Sequence, residues 1–293
     1  MSDQPLPSQQ VRGRRAPAVL RRESARLLKE AGVASPEWDA DELLAHVLGI
    51  ARSGLTLARD LTPAQAQEYA ALVARRAARE PLQHLTGTVS FRYVELEVGP
   101  GVFVPRPETE LLAGWAVERA TPLSEPILVD LCTGSGAIAK ALAHEVPHSR
   151  VHAVELDEPA FAYAARNLAG TGVDLRLGDL ADAFLELDGT VDVVTCNPPY
   201  IPLEAWESVA PEARDHDPEL ALFSGDDGLD AMRAVERRAA ALLRPGGVVA
   251  AEHADAQGEA APAVFAATGR WTEITDHADL TGRPRFVTAR LAR

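Results

Sequence analysis

The sequence predicts an α/β protein, a mainly parallel and doubly wound sheet behind a small N-terminal helical domain. Three observations carry this. From Ile127 onward, short apolar runs rich in β-branched residues alternate with helical stretches, the pattern of successive βαβ units. The first of these runs leads straight into a glycine-containing loop and then a helix. Ahead of it, from Ala18 to about Glu80, leucines recur at three- and four-residue spacings, which is the period of helices and not of strands.

Residues 1–16 are rich in Pro, Gln and Arg and are expected to be a disordered arm. Residues 17–85 form the helical domain. Leu20, Leu27 and Leu28, then Leu43, Leu44, Val47 and Leu48, then Tyr69, Leu72 and Val73 mark its apolar faces. Ser35-Pro36-Glu37 and Thr62-Pro63 read as helix starts, with Pro at the first turn. Residues 86–106 change character. Thr88–Phe91 and Val94–Val98 predict two short strands, a hairpin between domains, ended by Gly99-Pro100-Gly101. The α/β domain is expected to span residues 107–293. It opens with an amphipathic helix from about Glu108 to Arg119, whose acidic first turn suits a helix N-terminus. Strands are predicted at Ile127–Leu131, Val151–Glu155, Val173–Leu177, Val191–Cys196 and Val248–Glu252, with two more at Trp271–Thr275 and Arg285–Leu291.

Composition narrows the function. A net charge of −14, from 29 basic and 43 acidic residues, argues against a broad nucleic-acid footprint, which requires clustered positive charge. The exception is Val11–Glu30, with Arg12, Arg14, Arg15, Arg21, Arg22, Arg26 and Lys29, which reads as a solvated arm and helix face. Two distant cysteines, Cys132 and Cys196, indicate neither a disulfide framework nor a metal site and fit a reducing cytoplasm. The N-terminus is basic but lacks the apolar core expected of a secretion signal, and no long apolar run suggests a membrane span.

Two motifs carry chemistry. The first strand runs into Asp130-Leu131-Cys132-Thr133-Gly134-Ser135-Gly136, where glycines let the chain turn tightly and let a ligand approach the backbone. Ala139 stands where a dinucleotide fingerprint has its third glycine. Glu155 ends the second strand about twenty residues on, where an acid binds a ribose diol. Asp179 follows the third strand, with Leu180 after it. Acids at three strand ends disfavour a pyrophosphate and suit a cationic nucleoside, which points to S-adenosyl-L-methionine. The second motif is Asn197-Pro198-Pro199-Tyr200 at the end of a strand. The Asn197 side-chain oxygen and the Pro198 carbonyl are two acceptors for a planar –NH₂ group. The prolines stiffen the segment, and Tyr200 offers a face for stacking.

With these residues the chain resembles the protein-(glutamine-N5) methyltransferases that modify peptide chain release factors. The resemblance covers roughly residues 20–290. Its parts are Pro81–Gly87, Val104-Pro105-Arg106-Pro107-Glu108-Thr109-Glu110, the Asp130–Gly136 loop, Asn197–Tyr200, Glu252-His253 and Asp279–Arg285. Asn-Pro-Pro-Tyr alone also occurs in DNA adenine and RNA guanine methyltransferases. The Pro-Arg-Pro-Glu-Thr-Glu run beside it narrows the family. The resemblance implies a seven-stranded class I S-adenosylmethionine-dependent methyltransferase fold, Rossmann-like, behind a helical substrate-recognition domain. It implies that Cys132, Thr133, Gly134, Ser135, Gly136 and Glu155 hold the donor; Asp130, Asp179, Leu180 and Asn197 are expected to bind it as well. It implies that Asn197, Pro198, Pro199 and Tyr200 hold the glutamine of a Gly-Gly-Gln loop, with release factors as partners. The chain departs from the family at Cys132, often Gly; at Glu155, more often Asp; at Leu180, often aromatic; and at Ala254, where Gly is usual.

A carboxamide nitrogen is a poor nucleophile, and the motif holds no strong general base. Positioning and electrostatics are therefore the expected contributions. Phe103–Glu110 is expected to cover the donor pocket, with Arg106 either part of that cover or paired to Glu108 or Glu110. The alternative activities are methylation of adenine N6 in DNA or guanine N2 in RNA by the same clamp, or donor binding without catalysis.

Overall fold

The computed structural model describes residues 16–292. The expected arm at residues 1–16, and Arg12, Arg14 and Arg15 within it, fall outside the described residues apart from Ala16. The chain divides into two compact units between Thr86 and Gly87.

The first unit is helical. It comprises α1 (Pro17–Glu30), α2 (Pro36–Leu48), α3 (Pro63–Ala77) and the short α4 (Leu82–Thr86). The first three begin with proline, which has no N–H to leave unsatisfied there. At α3, Thr62 and Gln65 cap each other reciprocally, satisfying two otherwise orphaned donors. Leu28, Leu43, Leu44, Leu61 and Tyr69 fill the core. Inside it Arg76 Nε donates to Asp39 Oδ2 at 2.7 Å, and the Tyr69 hydroxyl donates to the Ala40 carbonyl at 3.1 Å. One leucine departs from expectation. Leu20, Ser24 and Leu28 share the buried stripe of α1, so Leu27 is turned about 100° away and is exposed.

The second unit opens with the hairpin β1 (Thr88–Phe91) and β2 (Val94–Glu97), whose Phe91 and Leu96 join the core of this unit. The helix α5 (Thr109–Ala120) follows. Then come β3 (Ile127–Leu131), α6 (Ala137–Glu145), β4 (Arg150–Glu155), α7 (Glu158–Leu168), β5 (Asp174–Leu177) and β6 (Val191–Cys196). Two short helices, α8 (Pro211–His216) and α9 (Glu219–Leu222), precede α10 (Asp230–Leu242), β7 (Leu243–Glu252), α11 (Ala260–Ala266), β8 (Trp271–Ala278) and β9 (Pro284–Leu291). Seven strands form one sheet in the order β5-β4-β3-β6-β7-β9-β8. The pairs from β5 to β7 are parallel, and β9 is antiparallel to both β7 and β8. One apolar face is covered by α10 and α11, the other by α5, α6 and α7. The predicted strands are all present. β7 starts earlier than Val248 because Leu243 pairs Val191 before a register shift; regular pairing resumes at Val248.

Register sets up the site. Leu131 lies opposite Val154 on one side and Cys196 on the other, and Cys196 lies opposite Ala251. One residue further along each strand stand Cys132, Glu155, Asn197 and Glu252, gathered at the carboxyl edge where doubly wound sheets bind ligands.

Candidate active site

The loop after β3 turns through left-handed backbone at Cys132 (φ 56°), Gly134 (φ 57°) and Gly136 (φ 85°). At Gly136 glycine is required twice over, because a Cβ there would meet Leu168 Cγ at 3.1 Å. Asp130 underpins the loop. Its carboxylate accepts from the Thr133 hydroxyl at 2.6 Å and the Thr195 hydroxyl at 2.8 Å, and it has no solvent exposure. Burial pushes its carboxyl up to about 7, with the two hydroxyls pulling the other way.

Glu155 ties the loop to β4. Its Oε2 accepts from the Gly134 N–H at 2.7 Å, and its Oε1 accepts from the N–H groups of Leu156 and Asp157, both at 2.9 Å. Burial raises its carboxyl, and those N–H groups offset part of the effect. Asp179 accepts from the Ala181 N–H at 2.8 Å at the start of a single 3₁₀ turn that carries Leu180.

Asn197-Pro198-Pro199-Tyr200 leaves β6 and is fastened from below. The N–H groups of Tyr200 and Ile201 both donate to the Leu222 carbonyl, at 3.2 and 2.8 Å. Gln257 Nε2 donates to the Tyr200 carbonyl at 3.1 Å. Asn197 Nδ2 donates to the Thr109 hydroxyl oxygen at 3.3 Å, and that hydroxyl donates to Glu252 Oε2 at 2.7 Å. The Tyr200 hydroxyl donates to Glu252 Oε1 at 3.3 Å. Burial and the neighbouring Glu252 carboxylate push the Tyr200 phenol well up. Burial likewise pushes the Glu252 carboxyl up to about 7.

These elements enclose a cavity of about 310 Å³. Of the residues expected at the site, Cys132, Thr133, Gly134, Ser135, Glu155, Asp179, Leu180, Asn197, Pro199 and Tyr200 line it. Asp130, Gly136 and Pro198 do not. Asp130 lies beneath the loop, Gly136 caps α6, and Pro198 is buried. Phe103, Pro105 and Thr109 line the cavity, as expected of a covering segment. Arg106 does not pair with Glu108 or Glu110. Its Nη2 donates to Asp217 Oδ2 at 2.7 Å, a partner 111 residues away that local spacing could not reveal. Leu220 and Leu222, on α9, also line the cavity, and no motif in the sequence marks them for it.

Comparison with known proteins gives two matching family models. Residues 20–87 match the PrmC N-terminal domain, and residues 128–216 match a methyltransferase domain. A release factor glutamine methyltransferase of Streptomyces coelicolor is 60% identical over 267 residues, covering 90% of this chain and 94% of that protein. One from Mycolicibacterium smegmatis is 49% identical over 91% of this chain and 95% of its own length. A 4-amino-L-phenylalanine/4-methylamino-L-phenylalanine methyltransferase of Streptomyces pristinaespiralis is 43% identical, covering 85% of this chain and 86% of that protein.

Proposed function

Because the chain belongs to the release factor glutamine methyltransferase family, we propose that it methylates N5 of the glutamine in the Gly-Gly-Gln motif of peptide chain release factors, with S-adenosyl-L-methionine as donor. The structural observation that best supports this is the Asn197 amide. Its nitrogen is engaged by Thr109. The group left for a ligand is therefore an acceptor, the polarity needed to hold a primary amide by its N–H₂.

The cavity fits the donor chemically. Gly134 would leave open space even for a Cβ, so a ligand can lie against the loop. Glu155 and Asp179 supply acceptors for a ribose diol and an amino group, and Leu156, Leu180 and Ile138 supply apolar walls for a flat base. When bound, the donor supplies an electrophilic methyl group on a sulfonium. Everything else falls to the protein. Asn197, which lines the cavity, accepts one amide proton of the substrate; the Pro198 carbonyl, whose residue is buried behind that lining, is assigned the second by the motif, and together they orient the nitrogen and favour positive charge developing there. Tyr200 packs on the amide plane. Leu220 and Leu222 add apolar wall to the same space. No side chain deprotonates the amide before transfer; the proton leaves to water afterwards.

The relative that acts on 4-amino-L-phenylalanine favours a second reading, a small arylamine as acceptor in the same clamp. Its lower identity ranks it below the first. Nucleic-acid bases rank lower again on a net charge of −14. The reaction belongs to the cytoplasm, where translation ends. Among the described residues no helix is long and apolar enough to cross a membrane. The deciding experiment is peptide mass spectrometry of a release factor incubated with this protein and the donor, with the arylamine run in parallel. One added methyl on the Gly-Gly-Gln glutamine is expected. Transfer to the arylamine alone overturns the first reading.

A further inference from the structure

An amide has two ends of nearly equal size, and only hydrogen-bond polarity distinguishes them. If Asn197 were turned over, it would present –NH₂ to the –NH₂ of the substrate and repel it. Something must therefore read the amide. We propose that Thr109 and Glu252 are positioning residues that hold Asn197 with its carbonyl oxygen toward the acceptor, a proposal that rests on the glutamine-clamp reading above.

The polarity runs in one direction along the chain of contacts. A carboxylate can only accept, so Glu252 Oε2 takes the Thr109 hydroxyl proton at 2.7 Å. The hydroxyl oxygen then faces Asn197 with its lone pairs and can receive only the nitrogen end, at 3.3 Å. Thr109 and Glu252 are 4% and 1% exposed, so water does not compete for these contacts. The other groups acting on Glu252 are the Tyr200 hydroxyl, which donates to Oε1, and the charges of Arg285 and Glu108. Arg285, itself held by Asp279 at 3.1 Å, opposes the burial that would neutralise the carboxylate. Three motifs, only the first of which already had a place as cover of the cavity, thus meet behind the clamp. They are the Pro105–Glu110 run, Glu252-His253 and the Asp279–Arg285 run.

Glu252→Gln keeps the shape and adds a donor. The Thr109 hydroxyl can then be turned round, and with it the Asn197 amide. A proton on Glu252 has the same effect, so kcat acquires an acid limb near pH 7 that the Gln variant lacks.

The test uses the full chain, a release factor and the donor. It measures kcat against pH, KM for the release factor, donor affinity by calorimetry, and melting temperature. Thr109→Val, which removes only the hydroxyl, is expected to lower kcat about tenfold, the loss of one buried hydrogen bond. Donor affinity should stay within about twofold, since Thr109 lines the cavity without supplying the donor's acceptors, Glu155 and Asp179, which are left in place. Thr109→Ser should recover most of the rate, and Glu252→Gln should lose on the order of a hundredfold together with the acid limb. Undiminished kcat in Thr109→Val, or a Thr109→Ser variant as slow as Val, overturns the proposal. So does an unchanged pH profile in Glu252→Gln. If the wild-type protein transfers no methyl to the release factor, the clamp reading itself falls, an outcome visible before any variant is compared.

Discussion

Asp130 offers a test of the site's electrostatics that needs no substrate. Its carboxyl, fully buried beneath the loop, is pushed up to about 7 from an ordinary 3.8. A folded-state value above the unfolded one means that the folded protein binds this proton more tightly. The resulting stabilisation is fully present below about pH 4 and is lost as pH rises through about 7. Each pKa unit is about 1.4 kcal/mol, so the full span is about 4 kcal/mol, and the part lost between about pH 5.5 and pH 8 is about 2 kcal/mol. Asp130→Asn removes that dependence, because Asn carries no charge at either pH. It keeps one acceptor for the two threonine hydroxyls and loses the other, which costs about 1 kcal/mol at both pH values. The gap between wild type and variant should therefore move by about 2 kcal/mol in the variant's favour on going to the higher pH. For a domain of this size that is roughly 4–8 °C in melting temperature. Asp217 and Glu252 also have raised carboxyls, but they do not act on Asp130, are present in both proteins and cancel in the difference; Glu155, whose charge adds to the rise at Asp130, cancels except for that coupling, which is the least of the causes acting on Asp130. The assay is calorimetric melting of both proteins at the two pH values without donor. Melting temperatures that run parallel across the range would refute the buried-charge argument.

Three further outcomes are expected. Asn197→Ala should lower kcat on the order of a hundredfold with donor affinity nearly intact, as for loss of one preorganised transition-state contact; near-normal turnover of a release factor would dismiss the clamp. Glu155→Gln keeps the size of the side chain and removes its charge, and should weaken donor binding about tenfold or more in calorimetry, at about 1.4 kcal/mol per tenfold; an unchanged affinity would remove Glu155 from the donor site. Arg106→Met leaves Asp217 buried without its cation. It should cost about 2 kcal/mol near pH 8, the low side for such a pair because Arg106 is about one-third exposed. The loss should shrink near pH 5.5, where the Asp217 carboxyl, pushed up to about 6 by burial, takes a proton; equal losses in urea titrations at both pH values would contradict this.

The sheet was legible because strand and helix periods are local. Ile127–Leu131 and Val191–Cys196 were bounded correctly by β-branched composition and the turn residues after them. The acids at strand ends were legible for the same reason, since Glu155 and Asp179 simply follow apolar runs. Contacts between distant segments were not. Arg106 had two acids within four residues, and the fold gives it Asp217 instead. Asp130 stands in the loop motif like a ligand-binding acid, yet the hydroxyls of Thr133 and Thr195 close over it. Nothing in the order of letters says that Thr195, on the neighbouring strand, reaches it.

The partnership of Thr109, Asn197 and Glu252 lies between these cases, and the reason is topological. Asn197 ends one strand and Glu252 ends another. Only when β6 and β7 are known to be parallel neighbours, with Cys196 opposite Ala251, does it follow that the two residues stand side by side. Thr109 then arrives from the first turn of α5, which packs on both strands. A strand-end acid with no ligand to explain it is thus best read against the strand beside it. Glu252, at 1% exposure, is too deep to meet a substrate and sits where it can orient Asn197, the group proposed to do so. The proposed clamp would suit any planar –NH₂. Glutamine amide and arylamine must be told apart by what surrounds the clamp, and in this chain that includes Phe103, Leu220 and Leu222, which share the cavity with Asn197.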